Sequence, residues 1–134
     1  MASVLLVEDD PLVSETIRSQ LEFAGHDVTL ARHGGEGLKA LETGTAFDLV
    51  ISDLLMPEVE GIEFIMTIRR QRNAVPIIAI TGGVPRAGAT KDVDYLELSS
   101  KLGATAIIRK PFTRKQLLAV VDECLATQTG EPQP

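Results

Sequence analysis

The chain has 134 residues, 44% hydrophobic and 24% charged, which is the make-up of one ordinary globular domain and not of a disordered segment. Its net charge of −6 disfavours nucleic acid, whose phosphates are held by clustered Lys and Arg. The densest basic group, Arg69, Arg70 and Arg72, has no interleaved aromatics and reads as a solvated helix face.

A lone cysteine, Cys124, excludes an internal disulfide and suits a reducing compartment. It falls on an apolar helical stripe and reads as a small buried hydrophobe. No stretch approaches the roughly 20 apolar residues that span a bilayer. The first strand begins without a charged leader, so the expectation is a cytoplasmic protein with no membrane partner.

Strand and helix patterns alternate with short connections, which predicts an α/β fold: a parallel sheet with helices on both faces. Strand one covers about Ser3 to Val7. Asp10 suits an N-cap and Pro11 a first helical turn; Val13, Ile17, Leu21 and Ala24 then recur at helical spacing, and Gly25 stops the helix. Strand two, Asp27 to Ala31, is short and alternating, as at a sheet edge. A second helix covers about Gly35 to Glu42, with Leu38 and Leu41 inward. Strand three, Leu49 to Ser52, is continuously apolar before its last residue.

Leu54 to Val59 form a loop, in which Gly61 just beyond permits a positive φ. A third helix starts near Glu60, with Phe64, Ile65 and Ile68 toward the core, and strand four is Ile77 to Ile80. Residues 82–91, GGVPRAGATK, lack periodicity and make a long loop. A fourth helix covers about Asp92 to Leu102, and strand five is Ala106 to Arg109. Thr113 caps a fifth helix with Leu117, Val121, Cys124 and Leu125 on one face. One domain thus occupies residues 1–127, and 128–134 is a short flexible tail. His26 and His33 lack partners at useful spacing and read as surface loop residues.

Four apolar runs end in residues able to handle a phosphoryl group. Val4–Val7 runs into Glu8, Asp9 and Asp10; Leu49–Ser52 into Asp53; Ile77–Ile80 into Thr81; and Ala106–Arg109 into Lys110. In a parallel sheet these ends open on one edge, where such sheets bind ligands. Two carboxylates about 4 Å apart repel by roughly 4 kcal/mol at an effective dielectric of 20, so the cluster needs a counter-charge or a bound proton. Oxygen donors suit a hard cation such as Mg²⁺, and Lys110 supplies a second positive charge. No phosphate-binding loop of Walker type is present, whereas a carboxylate can itself be the nucleophile. Asp53, alone at the end of a central strand, is the best-placed acceptor.

The segments VLLVEDDP, DLVISDLLMPEVEG, IIAITGG and GATAIIRKPF, in this order, resemble the receiver domain of a two-component response regulator, of the CheY-like superfamily. The resemblance covers Ser3 to Leu125. It implies a flavodoxin-like sheet of strand order 2-1-3-4-5, with Asp53 as phosphoacceptor and Thr81 and Lys110 assisting. It implies Mg²⁺ held by Glu8, Asp9, Asp53 and the backbone carbonyl of Leu55, and a cis Lys110–Pro111 bond. It further implies a sensor histidine kinase or phosphotransfer protein as donor. A downstream protein would be reached through the fourth helix, fifth strand and fifth helix, by a monomer or weak homodimer that acts enzymatically only on itself. Asp10 matches a variable family position and reads as a cap.

Family members often carry an aromatic where this chain has Ile107. The 82–91 loop is longer than in compact members and is expected to reorder on phosphorylation. Leu55 and Gly83 cannot orient an attacking water, which predicts slow self-dephosphorylation. Tyr95, Leu98 and Leu102 read as core or as a docking stripe. The leading expectation is a response regulator without an output domain. Two rivals remain: a Mg²⁺-dependent phosphohydrolase with an aspartyl intermediate, which usually carries Asp-x-Asp after strand one where Glu8 stands here, and a phosphorylation-independent adaptor of the same fold.

Overall fold

The structure is a computed structural model that describes residues 2–44, 46–54, 60–71, 73–81 and 103–128. Its strands are β1 (Ser3–Val7), β2 (Asp27–Ala31), β3 (Leu49–Asp53), β4 (Ile77–Thr81) and β5 (Ala106–Arg109). Its helices are α1 (Pro11–Phe23), α2 (Gly34–Glu42), α3 (Glu60–Arg70) and a C-terminal helix (Arg114–Gln128). The strands form one sheet in the order β2-β1-β3-β4-β5, every neighbouring pair parallel, as the flavodoxin-like expectation requires. Among the described residues no helix is long and apolar enough to cross a membrane.

Each central strand is buried on both faces, so its successive side chains feed two separate cores. Val4, Leu6, Leu49, Ile51, Ile78, Ile80 and Ile108 pack with Ile17 and Leu21 of α1 and with Leu117, Val121 and Cys124 of the C-terminal helix. Leu5, Val7, Val50, Ile77 and Ala79 pack on the opposite face with Phe64, Ile65 and Ile68 of α3. The predicted helix faces are therefore largely those observed. Ala24 is the exception: it is exposed and forms the C-cap of α1, its N–H donating to Leu21.

Two strands run one residue further than their apolar runs suggest. Asp53 ends β3 and Thr81 ends β4, because the ladder continues past them: the Leu54 N–H donates to the Ile80 carbonyl at 2.8 Å, and the Lys110 N–H to the Thr81 carbonyl at 2.8 Å. Both histidines also have structural partners that the sequence reading missed. His33 is the N-cap of α2, its Nδ1 accepting from the Glu36 N–H at 3.3 Å, and His26 Nδ1 accepts from the Ala2 N–H at 3.2 Å.

Arg69 corrects the reading of the basic cluster as a solvated face. Its Nε and Nη2 donate to the Gly103 carbonyl at 3.0 and 2.8 Å, and Nη1 donates to the carbonyls of Asn73 at 2.7 Å and Val75 at 2.8 Å. The guanidinium fork ties the end of α3 to the entries of β4 and β5, and burial lowers its affinity for its proton. Gly103, with φ +109°, leaves room for it, since a Cβ there would stand 2.9 Å from Arg69 Cγ. Arg70 is exposed as expected; Arg72 lies outside the described residues. So do the 82–91 loop, Gly83, the expected fourth helix with Tyr95, Leu98 and Leu102, and residues 129–134 of the tail.

Arg69→Met should lower stability by about 2–3 kcal/mol, with Arg69→Lys recovering only part, as read by urea unfolding. Gly37 sits where α2 meets α3, and a Cβ there would lie 2.8 Å from Phe64 Cε1 and 3.0 Å from Val7 Cγ2. Overpacking costs about 1–3 kcal/mol, against about 1 kcal/mol gained from alanine's helix propensity. Gly37→Ala should therefore be destabilising in thermal unfolding, and Phe64→Leu in the same chain should relieve part of the loss.

Candidate functional site

Strand alternation and register assemble the site. Leu6 and Ile51 face the α1 side of the sheet, so Glu8 and Asp53, two residues further along, continue on that side. Val7 pairs with Ser52, which sets Glu8 beside Asp53 at the carboxyl edge. Both carboxyls are buried, each residue only 3% exposed.

Lys110 reaches Asp53 from the far end of β5, two strand spacings or roughly 10 Å away, over the tip of β4. Its Nζ lies 3.0 Å from Asp53 Oδ2 and 3.9 Å from Glu8 Oε1. The turn carrying it is held on both sides. Upstream, the Lys110 N–H extends the ladder to Thr81; downstream, Phe112 packs on the core and Thr113 and Gln116 exchange side-chain-to-backbone bonds of 3.0 and 2.9 Å, a capping box that starts the C-terminal helix. The Lys110–Pro111 bond is cis.

Glu8 has a fixed backbone, its N–H donating to the Ala31 carbonyl at 3.0 Å. One carboxyl oxygen, Oε2, accepts from the Asp10 N–H at 3.1 Å; the other, Oε1, is buried and receives no hydrogen bond from the described residues. Burial first, and then the adjoining Asp53, push the Glu8 carboxyl from its ordinary 4.5 up to about 8, against the opposing pull of the Asp10 N–H and the Lys110 ammonium. Two carboxyls in contact beside one ammonium hold a single proton between them most easily, and burial favours placing it on Glu8.

The structure thus brings together the side chains of Glu8, Asp53 and Lys110. Thr81 is buried and joined to Lys110 through its backbone; alternation puts it in line with Ile77 and Ala79 on the other face. Asp9 is exposed, at the bend that follows β1. Among the described residues no three His, Cys, Asp or Glu side chains gather as a metal-holding group, so the expected carboxylate set is assembled only in its Glu8–Asp53 half. Leu55 lies outside the described residues. Asp10 caps α1 as expected, accepting from the N–H groups of Leu12 at 2.9 Å and Val13 at 3.4 Å. Its N–H to Glu8 was not read from the sequence, although Asp-Pro favours the start of a turn.

This arrangement can be compared with known proteins. Residues 4–122 match the response regulator receiver domain family. The chain belongs to that family. It is 34% identical over 125 residues to a transcriptional regulatory protein of Haemophilus influenzae, a CpxR homolog, covering 93% of this chain and 51% of that one. It is 31% identical to FixJ of Bradyrhizobium diazoefficiens, over 96% of this chain and 58% of the relative. The chain spans about half the length of the curated relatives it matches. Among solved structures, a CheY-like receiver from Methanospirillum hungatei superposes with a TM-score of 0.83 at 30% identity, covering 98% and 99% of the two chains. CheY4 of Vibrio cholerae gives 0.79 at 29%, covering 93% and 99%.

In this receiver the folded state binds the Glu8 proton more tightly than the unfolded chain does. The resulting stabilisation is complete below about pH 4.5 and is lost as pH rises through about 8. In metal-free buffer the urea midpoint should therefore fall between about pH 6 and about pH 9, and Glu8→Gln should flatten that slope. An unchanged slope in the variant would place the titration elsewhere.

Proposed function

We propose that this receiver takes a phosphoryl group from the phosphohistidine of a sensor kinase or phosphotransfer protein onto Asp53. The single observation that carries the reading is the Lys110 ammonium 3.0 Å from a buried Asp53 carboxylate that also meets Glu8. A carboxylate oxygen is itself a competent nucleophile toward phosphorus, and the ammonium fixes where it sits. An Asp53 oxygen attacks phosphorus, the new O–P bond forms as the N–P bond of the donor breaks, and the imidazole leaves with the bond pair. Lys110 then neutralises part of the negative charge on the transferred group. Its short reach to Asp53 also positions the acceptor before the donor arrives, so little reorganisation is needed at the moment of transfer.

Receiver domains in general bind Mg²⁺ at the phosphorylation site. The donor set here fits a hard cation: oxygen atoms only, one of them the buried Glu8 Oε1 that no hydrogen-bond donor among the described residues serves. Glu8, Asp53 and Asp9 would hold the ion, with the Leu55 carbonyl as a further donor. When bound, it supplies positive charge for the phosphoryl oxygens. Thr81 is assigned the switch hydroxyl. The changed surface then signals to a protein partner from the cytoplasm, with residues 1–127 acting as the receiver unit.

Intact-mass measurement with acetyl phosphate and Mg²⁺ tests this. The native chain should gain one phosphoryl group, Asp53→Asn none, and Lys110→Ala far less than the native chain at equal time. Retention of the added mass in Asp53→Asn would remove Asp53 from the acceptor role.

A further inference from the structure

The turn between β1 and α1 is bonded in both directions through one residue, Asp10. Backward, its N–H donates to Glu8 Oε2 at 3.1 Å. Forward, its side-chain Oδ1 accepts from the N–H groups of Leu12 and Val13, and its carbonyl accepts from the Ser14 N–H at 2.9 Å, the first bond of the helix. Its backbone is extended, φ −86° and ψ 115°, and Pro11 locks the next φ. Asp10 itself is exposed, whereas the carboxyl it serves is buried. The Glu8 carboxyl therefore receives its described backbone hydrogen bond from a peptide whose tilt is set by a helix cap.

We propose that Asp10 is a positioning residue for the phosphorylation site: its side-chain cap orients the 9–10 peptide, and that peptide holds the Glu8 carboxyl in place. The role is distinct from a charge effect, because what the geometry uses is a side-chain oxygen that accepts hydrogen bonds from the first turn of α1. Alanine has no such acceptor, so φ at position 10, which sets the tilt of the 9–10 peptide against the helix, loosens and the position-10 N–H swings off Glu8 Oε2. Asparagine keeps the acceptor and loses the charge, and serves as a cap about as well as aspartate. Loss of the cap costs about 1 kcal/mol, small against the stability of a domain, so each variant folds. The inference rests on the proposed function for its link to phosphorylation, but the positioning itself is readable without it.

The experiment compares the native chain, Asp10→Ala and Asp10→Asn by amide hydrogen exchange at residues 10, 12 and 13, by Mg²⁺ titration followed through amide shifts, and by acetyl phosphate labelling. In Asp10→Ala, exchange at positions 10, 12 and 13 should speed up while that of β3 is unchanged, Mg²⁺ affinity should fall roughly five- to tenfold, and labelling should slow in step. Asp10→Asn should restore all three to within about twofold. The proposal is overturned if position 10 exchanges in Asp10→Ala as in the native chain, or if Asp10→Asn is as impaired as Asp10→Ala, which would make the charge the agent. If the native chain neither binds Mg²⁺ nor takes a phosphoryl group, the proposed function fails, while the exchange comparison still decides whether Asp10 holds the Glu8 turn.

Discussion

The site exists because a single ammonium is brought against two carboxyls that the sheet has taken out of water. Burying even one carboxylate is costly without a partner, and burying two side by side is worse. Here Lys110 offsets one charge at 3.0 Å and a proton on Glu8 offsets the other. The remaining features of the carboxyl edge serve that pairing. β1 and β3 must be in register for Glu8 to meet Asp53, and the tip of β4 must be low enough for the lysine stem to cross. The capping box behind Phe112 keeps the stem aimed.

The opposite edge of the sheet is held by a different device. Among the described residues Arg69 uses its guanidinium on backbone carbonyls alone, closing the entries of β4 and β5 onto α3. The two ends of the fold thus divide their labour. One is braced by uncharged acceptors around a cation, and the other leaves charged groups close together where chemistry can use them.

Much of this was legible in the amino-acid order. Continuous apolar runs ending in polar residues identify buried parallel strands, and parallel strands force their ends onto one edge, so Glu8, Asp53 and Lys110 could be grouped before any coordinate was known. The strand order came from the resemblance, since periodicity carries no information on neighbours. What escaped the sequence depends on partners distant in the chain or on side-chain direction. Arg69 was read as solvated because its acceptors are carbonyls, invisible in side-chain patterns; one of them belongs to Gly103, 34 residues on. His33 was read as loop because histidine is an uncommon cap. Asp9 and Glu8 look alike as letters, yet the bend after β1 leaves one exposed and the other buried.

Lys110 lies 57 residues beyond Asp53 in the chain. During synthesis the aspartate therefore emerges well before the residue that completes its surroundings, and the sheet lacks its last strand throughout that interval. A nascent chain at that stage carries both Glu8 and Asp53 but not the ammonium that offsets them. The charge balance of the carboxyl edge is thereby tied to completion of the domain.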